Sequence, residues 1–119
     1  MNCYLKNNIE NLVKGDSIQF DCLISENITD WKIRCELYDS TGNSIEKATS
    51  NSGGSDSQIK ITDASNGKFT VYIDKTETED FEDESNIEIE VELTDGKVYT
   101  VYQAIIEFKI QTVDWETPT

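Results

Sequence analysis

Two acidic groupings are the residues best placed, by type and spacing, to do chemistry. Glu77, Glu79, Asp80, Glu82, Asp83 and Glu84 form a run of carboxylates, the donor type that hard cations such as calcium take. The run lacks the Asp-x-Asp-x-Asp-Gly order of an EF-hand loop, so a solvated, self-repelling connection is the favoured reading. Glu88, Glu90 and Glu92 follow at a spacing of two. Paired carboxylates hydrolyse glycosides only when they face each other across a cleft, roughly 5–9 Å apart. A stripe along one strand faces water instead, where it discourages stray edge pairing or docks on a basic neighbour.

Cys3, Cys22 and Cys35 show no CxxC spacing, and the chain has no histidine. A zinc site would therefore have to recruit carboxylates. Cys22 and Cys35 fall at inward strand positions and read as small buried hydrophobes, whereas Cys3 reads as near the surface. A Cys22–Cys35 disulfide requires those two strands to face each other closely, and a cytosolic origin argues against it. Without histidine there is no Ser-His-Asp or Cys-His catalysis and no ordinary pH switch. No glycine-rich phosphate loop or nucleophile motif stands in for it, so the chain is read as not an enzyme, with no cofactor and no metal.

The elements that must hold these residues are strands. Ile18, Phe20, Cys22 and Ile24 alternate with polar neighbours, as do Trp31, Ile33, Cys35 and Leu37, and Ile87, Ile89, Val91 and Leu93. A period of two puts one face on a core and the other in water, and a helix would scatter these positions. Weaker strands are expected at 9–13, 44–49 (at an edge), 58–62 and 68–73. The longest, over 97–111, changes phase between its tyrosines and Ile106, which predicts a bulge near Gln103 and Ala104. Asp95-Gly96 between Leu93 and Val98 reads as a hairpin turn, because both residues tolerate positive φ. The segment 50–57, Ser-Asn-Ser-Gly-Gly-Ser-Asp-Ser, reads as a flexible loop. One short helix is expected at 76–81, with Thr76 and Glu79 at capping-box spacing and Phe81 plugging the end of the core.

Seven or eight short strands with turns every eight to twelve residues describe an all-β antiparallel sandwich, with a barrel as the structural alternative. The 119 residues allow one domain: an arm over 1–7, the sandwich over 8–111 and a tail over 112–119. Twenty-four acids against ten bases give a net charge of −14, which argues against nucleic acid and anionic membrane as partners. No basic stretch leads into an apolar run at the start, and no apolar segment approaches the roughly 20 residues of a membrane span, so a soluble, cytoplasmically made protein is expected. Exposed aromatics and the two ends are the candidate protein interface: Tyr4 and Leu5 in the arm, Tyr99 and Tyr102 on the last strand, and Trp115 in the tail.

The order of the turn motifs carries a resemblance. Lys14-Gly15-Asp16-Ser17 precedes a strand, and Ile28-Thr29-Asp30-Trp31 opens the next. Ile61-Thr62-Asp63-Ala64-Ser65-Asn66-Gly67 leads into a third, and Glu92-Leu93-Thr94-Asp95-Gly96 into the last. Residues 8–110 in this order resemble the immunoglobulin-like N-terminal domain of phage baseplate upper proteins and related small tail or virion proteins. The family's glycine after Thr29 is here Asp30. In baseplate proteins further segments follow the domain, so the resemblance implies a small virion structural or adaptor protein in the tail, baseplate or head. It would be made in the bacterial host's cytoplasm and would act through contacts with other virion proteins and with copies of itself. The second reading is a stand-alone immunoglobulin-like module that binds calcium or carbohydrate.

Overall fold

The computed structural model describes residues 1–6 and 12–109. They form eight strands: β1 (Cys3–Leu5), β2 (Ile18–Ile24), β3 (Lys32–Tyr38), β4 (Ser44–Ala48), β5 (Ile59–Asp63), β6 (Lys68–Ile73), β7 (Glu84–Glu92) and β8 (Val98–Glu107). Two four-stranded antiparallel sheets, ordered β1-β2-β6-β5 and β4-β3-β7-β8, pack as a sandwich. The sheets are separate, with no ladder closing them into a barrel among the described residues.

The period-two pattern sets the faces. Phe20, Cys22 and Ile24 of β2 and Ile33, Cys35 and Leu37 of β3 are buried, and Ile87, Ile89 and Val91 of β7 complete the facing layer. Cys22 and Cys35 thus lie in opposite sheets, both as free thiols. Cys3 is a correction to the sequence reading. It is buried, because β1 pairs with β2 and turns the Cys3 side chain inward opposite Ile24. A strand of three residues shows too little alternation to be read as one.

The expected helix at 76–81 is absent. Residues 75–80 form a chain of turns, with Glu77 N–H bonded to the Asp74 carbonyl and Phe81 N–H to the Thr78 carbonyl. The side chain that reaches back to a free N–H is Glu77, bonded to Asp74 at 2.9 Å, and not Glu79 to Thr76. Phe81 does plug the core, buried and edge-on to Phe108 with ring centroids 6.3 Å apart. The only helical residues described are two single 3-10 turns, Ser50–Ser52 and Ala64–Asn66.

Other local expectations shift in detail. The bulge in β8 falls at Val101, because Ile89 faces Tyr102 while Glu90 faces Thr100. Thr94-Asp95-Gly96 is a three-residue hairpin loop closed by Leu93 N–H on the Lys97 carbonyl, and Gly96 alone takes positive φ. The 50–57 loop is tied down: Asn51 Nδ2 bonds the Trp31 carbonyl at 3.2 Å, and Gly54 N–H bonds the Thr49 carbonyl at 3.0 Å. A Cβ on Gly54 would stand 1.9 Å from the Ala48 carbonyl oxygen, so the loop packs where only glycine fits.

One end of the sandwich joins distant parts of the chain. Phe108 N–H bonds the Asp83 carbonyl, Lys109 N–H bonds the Leu12 carbonyl, and Lys14 Nζ pairs with the Asp83 carboxylate. Val13 and Lys109 form an isolated parallel bridge there. Of the strand expected at 9–13, residues 9–11 lie outside the described residues, as does the tail over 112–119.

Candidate interaction surface

β1 and β8 are edge strands of opposite sheets, and they lie side by side along one flank. Four of the five residues expected at an interface sit on these two strands. Tyr4 is 55% exposed and Tyr99 43% exposed. Leu5 and Tyr102 are half-buried and pack against the core. Burial raises the Tyr102 phenol above its ordinary pKa, so Tyr102 is in part a core residue, whereas Tyr99 is surface. Trp115 lies outside the described residues.

Three further residues belong to this flank that sequence reasoning missed. Met1, Val98 and Ile105 are 46%, 50% and 61% exposed, and with Tyr4 and Tyr99 they are all the exposed large hydrophobics among the described residues. Met1, Asn2, Ser25, Glu26, Tyr99 and Thr100 line an open groove of about 550 Å³ between the start of the chain and the start of β8. Val98 and Ile105 fall at outward positions of β8, opposite Glu92 and Asn86. The signal in sequence was composition: Val98–Ile106 is nine residues without a charge, in a chain where 29% of residues are charged.

The second surface is acidic. On the outer face of the β4-β3-β7-β8 sheet, Glu46, Glu36, Glu88 and Gln103 lie abreast across the four strands. Directly opposed like charges in a sheet are destabilising. Burial, then the neighbouring carboxylates Glu46 and Glu88, push the Glu36 carboxyl above its ordinary pKa. Gln103 Nε2 donates to Glu88 at 3.3 Å. One row along, Arg34 lies opposite Glu90 but donates its Nε to Ser52 Oγ at 2.8 Å. Beyond it Lys32 pairs with Glu92 at 3.4 Å. Glu46, Glu36, Glu88, Arg34 and Glu90 floor an open groove of about 620 Å³. The Glu88, Glu90 and Glu92 stripe is therefore half-buried on a sheet face and does not line the two walls of a cleft.

The acidic run at 77–84 is held by separate partners. Glu77 takes both carboxylate contacts from Lys47 Nζ, at 2.7 and 2.9 Å. Burial opposes ionisation of Glu77, but Lys47 and the Asp74 N–H outweigh it and hold the carboxyl below its ordinary range. Glu82 accepts from Ser40 Oγ at 2.7 Å, and its N–H donates to Asp39 Oδ2 at 3.0 Å. Asp39 also accepts from the N–H groups of Thr41 and Asn43, from Thr41 Oγ1 and from Asn43 Nδ2. Against the cost of desolvation, these bonds from Asn43, Glu82 and Thr41 hold the Asp39 carboxyl far below the usual carboxylate range. No group of three or more Cys, Asp or Glu side chains among the described residues is arranged to hold a metal ion.

The thiols gather inside. Cys22 donates its thiol to the Phe20 carbonyl at 3.6 Å, and the neighbouring Cys3, then burial, push that thiol up. Burial, then the charge of Cys3, pushes the Cys35 thiol up to about 12. No helix of the described residues is long and apolar enough to cross a membrane. Comparison with protein-family models and with curated proteins found no match for this chain.

Proposed function

We propose that this protein is a phage virion structural or adaptor protein that acts by protein–protein contact. The support is the sequence resemblance to the immunoglobulin-like N-terminal domain of phage baseplate upper proteins, together with a sandwich fold whose turns use the motifs that carry it. Asp63 accepts from Ser65 Oγ and Asn66 Nδ2, which folds the 3-10 turn, and Gly67 leaves it with φ +71°. Gly15 takes φ +83°, and its N–H bonds Thr78 Oγ1 at 3.2 Å. Asp30, standing where the family has glycine, is the only non-glycine with positive φ among the described residues, at +65°. Aspartate is one of the few side chains that occupies that region at modest cost.

The observation that carries a contact role is that the exposed large hydrophobics of the described residues all lie on the edge strands β1 and β8 or at Met1 before β1, with Met1 and Tyr99 lining one open groove. Exposed apolar groups at a groove in an otherwise acidic surface mark a place where another protein sits. Peptide mass spectrometry of purified particles of the phage encoding the chain, quantified against the major capsid protein, tests the assignment. A fixed stoichiometry is the expected result, and its value separates a head-wide component from one at a unique vertex or in the tail. Absence from clean particles would refute the assignment.

A further inference from the structure

We propose that Asn66-Gly67 is a site of spontaneous covalent modification that folding closes. In the unfolded chain the Asn66 amide is lost to attack by the Gly67 nitrogen, and neither product rebuilds the turn that Asn66 makes in the fold. The proposal goes beyond the contact reading and does not depend on it.

The sequence selects the site. Asn-Gly occurs once in the chain, at 66–67, and every other asparagine precedes a residue with a side chain. Ring closure onto an asparagine side chain brings the next residue's nitrogen onto the amide carbon. Glycine leaves that approach uncrowded and its own backbone free to turn. The step balances with water alone. The Gly67 nitrogen gives its proton to hydroxide and bonds to Cγ of Asn66, the Cγ–Nδ2 bond breaks, and ammonia leaves. Water then opens the cyclic imide at one carbonyl or the other, giving isoaspartate or aspartate at position 66.

The fold restrains both reacting groups. Gly67 is buried, and its N–H bonds the Ala64 carbonyl at 3.2 Å, so the nitrogen is neither open to base nor free to turn. Asn66 is exposed, but its Nδ2 donates to Asp63 Oδ2 at 2.8 Å, which holds the amide back at the start of the 3-10 turn. That bond, outweighing burial and joined by the one from Ser65 Oγ, keeps the Asp63 carboxyl below its ordinary range. Asp63 therefore has no proton to give a leaving nitrogen.

The products do not fit the same turn. Isoaspartate routes the main chain through Cβ of residue 66 and lengthens it by one atom. The backbone has no room for the resulting shift, since even a Cβ on Gly67 would stand 1.6 Å from the Ile24 carbonyl oxygen. The 2.9 Å bonds from Ile24 N–H to the Gly67 carbonyl and from Ile28 N–H to the Ala64 carbonyl depend on that placement. Aspartate keeps the main chain but sets a carboxylate where the amide faced Asp63, so acceptor meets acceptor and like charge meets like. A chain left unfolded long enough loses its route back to the native state.

Peptide mass spectrometry reads the reaction in the full chain, held at pH 8 and 37 °C either native in matched salt or unfolded in guanidinium chloride. Asn66 is expected to be the first asparagine modified in the unfolded arm, and to react at least about tenfold more slowly in the native arm, where the turn must open first. After dilution from denaturant, chains carrying isoaspartate or aspartate at 66 fail to recover the native far-UV circular dichroism or unfold at a lower denaturant midpoint than unmodified chains. Equal rates in the two arms overturn the proposal. So does an unfolded arm in which Asn66 stays intact, and so do modified chains that refold with the parent's midpoint.

Discussion

Replacing Gly67 with alanine tests whether the Asn66-Gly67 turn holds the two ends of β2 and β6 together. Gly67 has φ +71°, a region that costs an L-residue about 1–2 kcal/mol, part of which is returned by a stiffer unfolded chain. Its added Cβ would stand 1.6 Å from the Ile24 carbonyl oxygen and 2.7 Å from the Glu26 carbonyl oxygen. Both obstacles are backbone, so the chain after β2 must retreat by well over an ångström. That movement breaks the 2.9 Å bond from Ile24 N–H to the Gly67 carbonyl and strains the one from Ile28 N–H to the Ala64 carbonyl. A buried donor left unpaired costs about 1–3 kcal/mol. The sum is a loss of about 2–5 kcal/mol, a large share of the roughly 5–15 kcal/mol that holds a domain of this kind folded. Gly96→Ala is the control, because Gly96 has φ +88° with nothing within 4 Å of the added atom. It incurs the conformational strain alone, about 1 kcal/mol. Urea denaturation followed by far-UV circular dichroism gives both values. Equal losses for the two variants would show that the close approach at Ile24 contributes nothing, and the reasoning fails.

Three other outcomes follow from the titrating groups. The folded pKa of Asp39 is depressed, so its contribution is complete above the ordinary aspartate value near 4 and is lost as pH falls below it. Asp39→Asn is therefore less stable than the parent at pH 7, and the gap narrows at pH 3; a gap independent of pH would disprove the role. Glu36 has a raised folded pKa, so its charge weakens the fold at neutral pH. Glu36→Gln stabilises at pH 7 by a few tenths to about 1 kcal/mol, a gain that disappears below pH 4, and urea midpoints at the two pH values check both signs. With Cys3, Cys22 and Cys35 all buried, native protein reacts with a thiol reagent only at its opening rate, and denaturant releases all three at once; a thiol that reacts quickly in the native state contradicts the packing.

The three long alternating strands were legible because one face of each is buried and the other wet. Phe20, Leu37 and Ile89 could be assigned inward from spacing alone, and each is fully buried. The bulge was legible as a phase change but was placed two residues late. Val101 and Tyr102 both turn toward the core, and side-chain type does not say which of two adjacent apolar residues is the extra one. The helix at 76–81 failed because a one-turn helix nucleates poorly, and Lys47 from β4 holds Glu77 while the core holds Phe81. Tyr4 and Tyr99 could be picked singly as exposed aromatics, but their shared flank depends on which strands end up at the edges. That is a property of the whole topology.

The joining of chain ends at Asp83, Leu12, Lys14 and Lys109 has a consequence for how the protein emerges from the ribosome. The β3–β4, β5–β6 and β7–β8 pairs are neighbours in sequence and can zip as soon as each is exposed. The pairings that define the sheets, β2 with β6 and β3 with β7, span about half the chain and wait for it. The final clasp waits longest, since Lys109 must be synthesised before Leu12 and Lys14 have anything to bind. Non-local pairing of this kind folds in milliseconds to seconds, whereas helical bundles take microseconds to milliseconds. The nascent chain therefore carries β2 and β3 with their apolar faces uncovered through most of translation. In that interval the chain's own negative charge keeps unfinished copies apart.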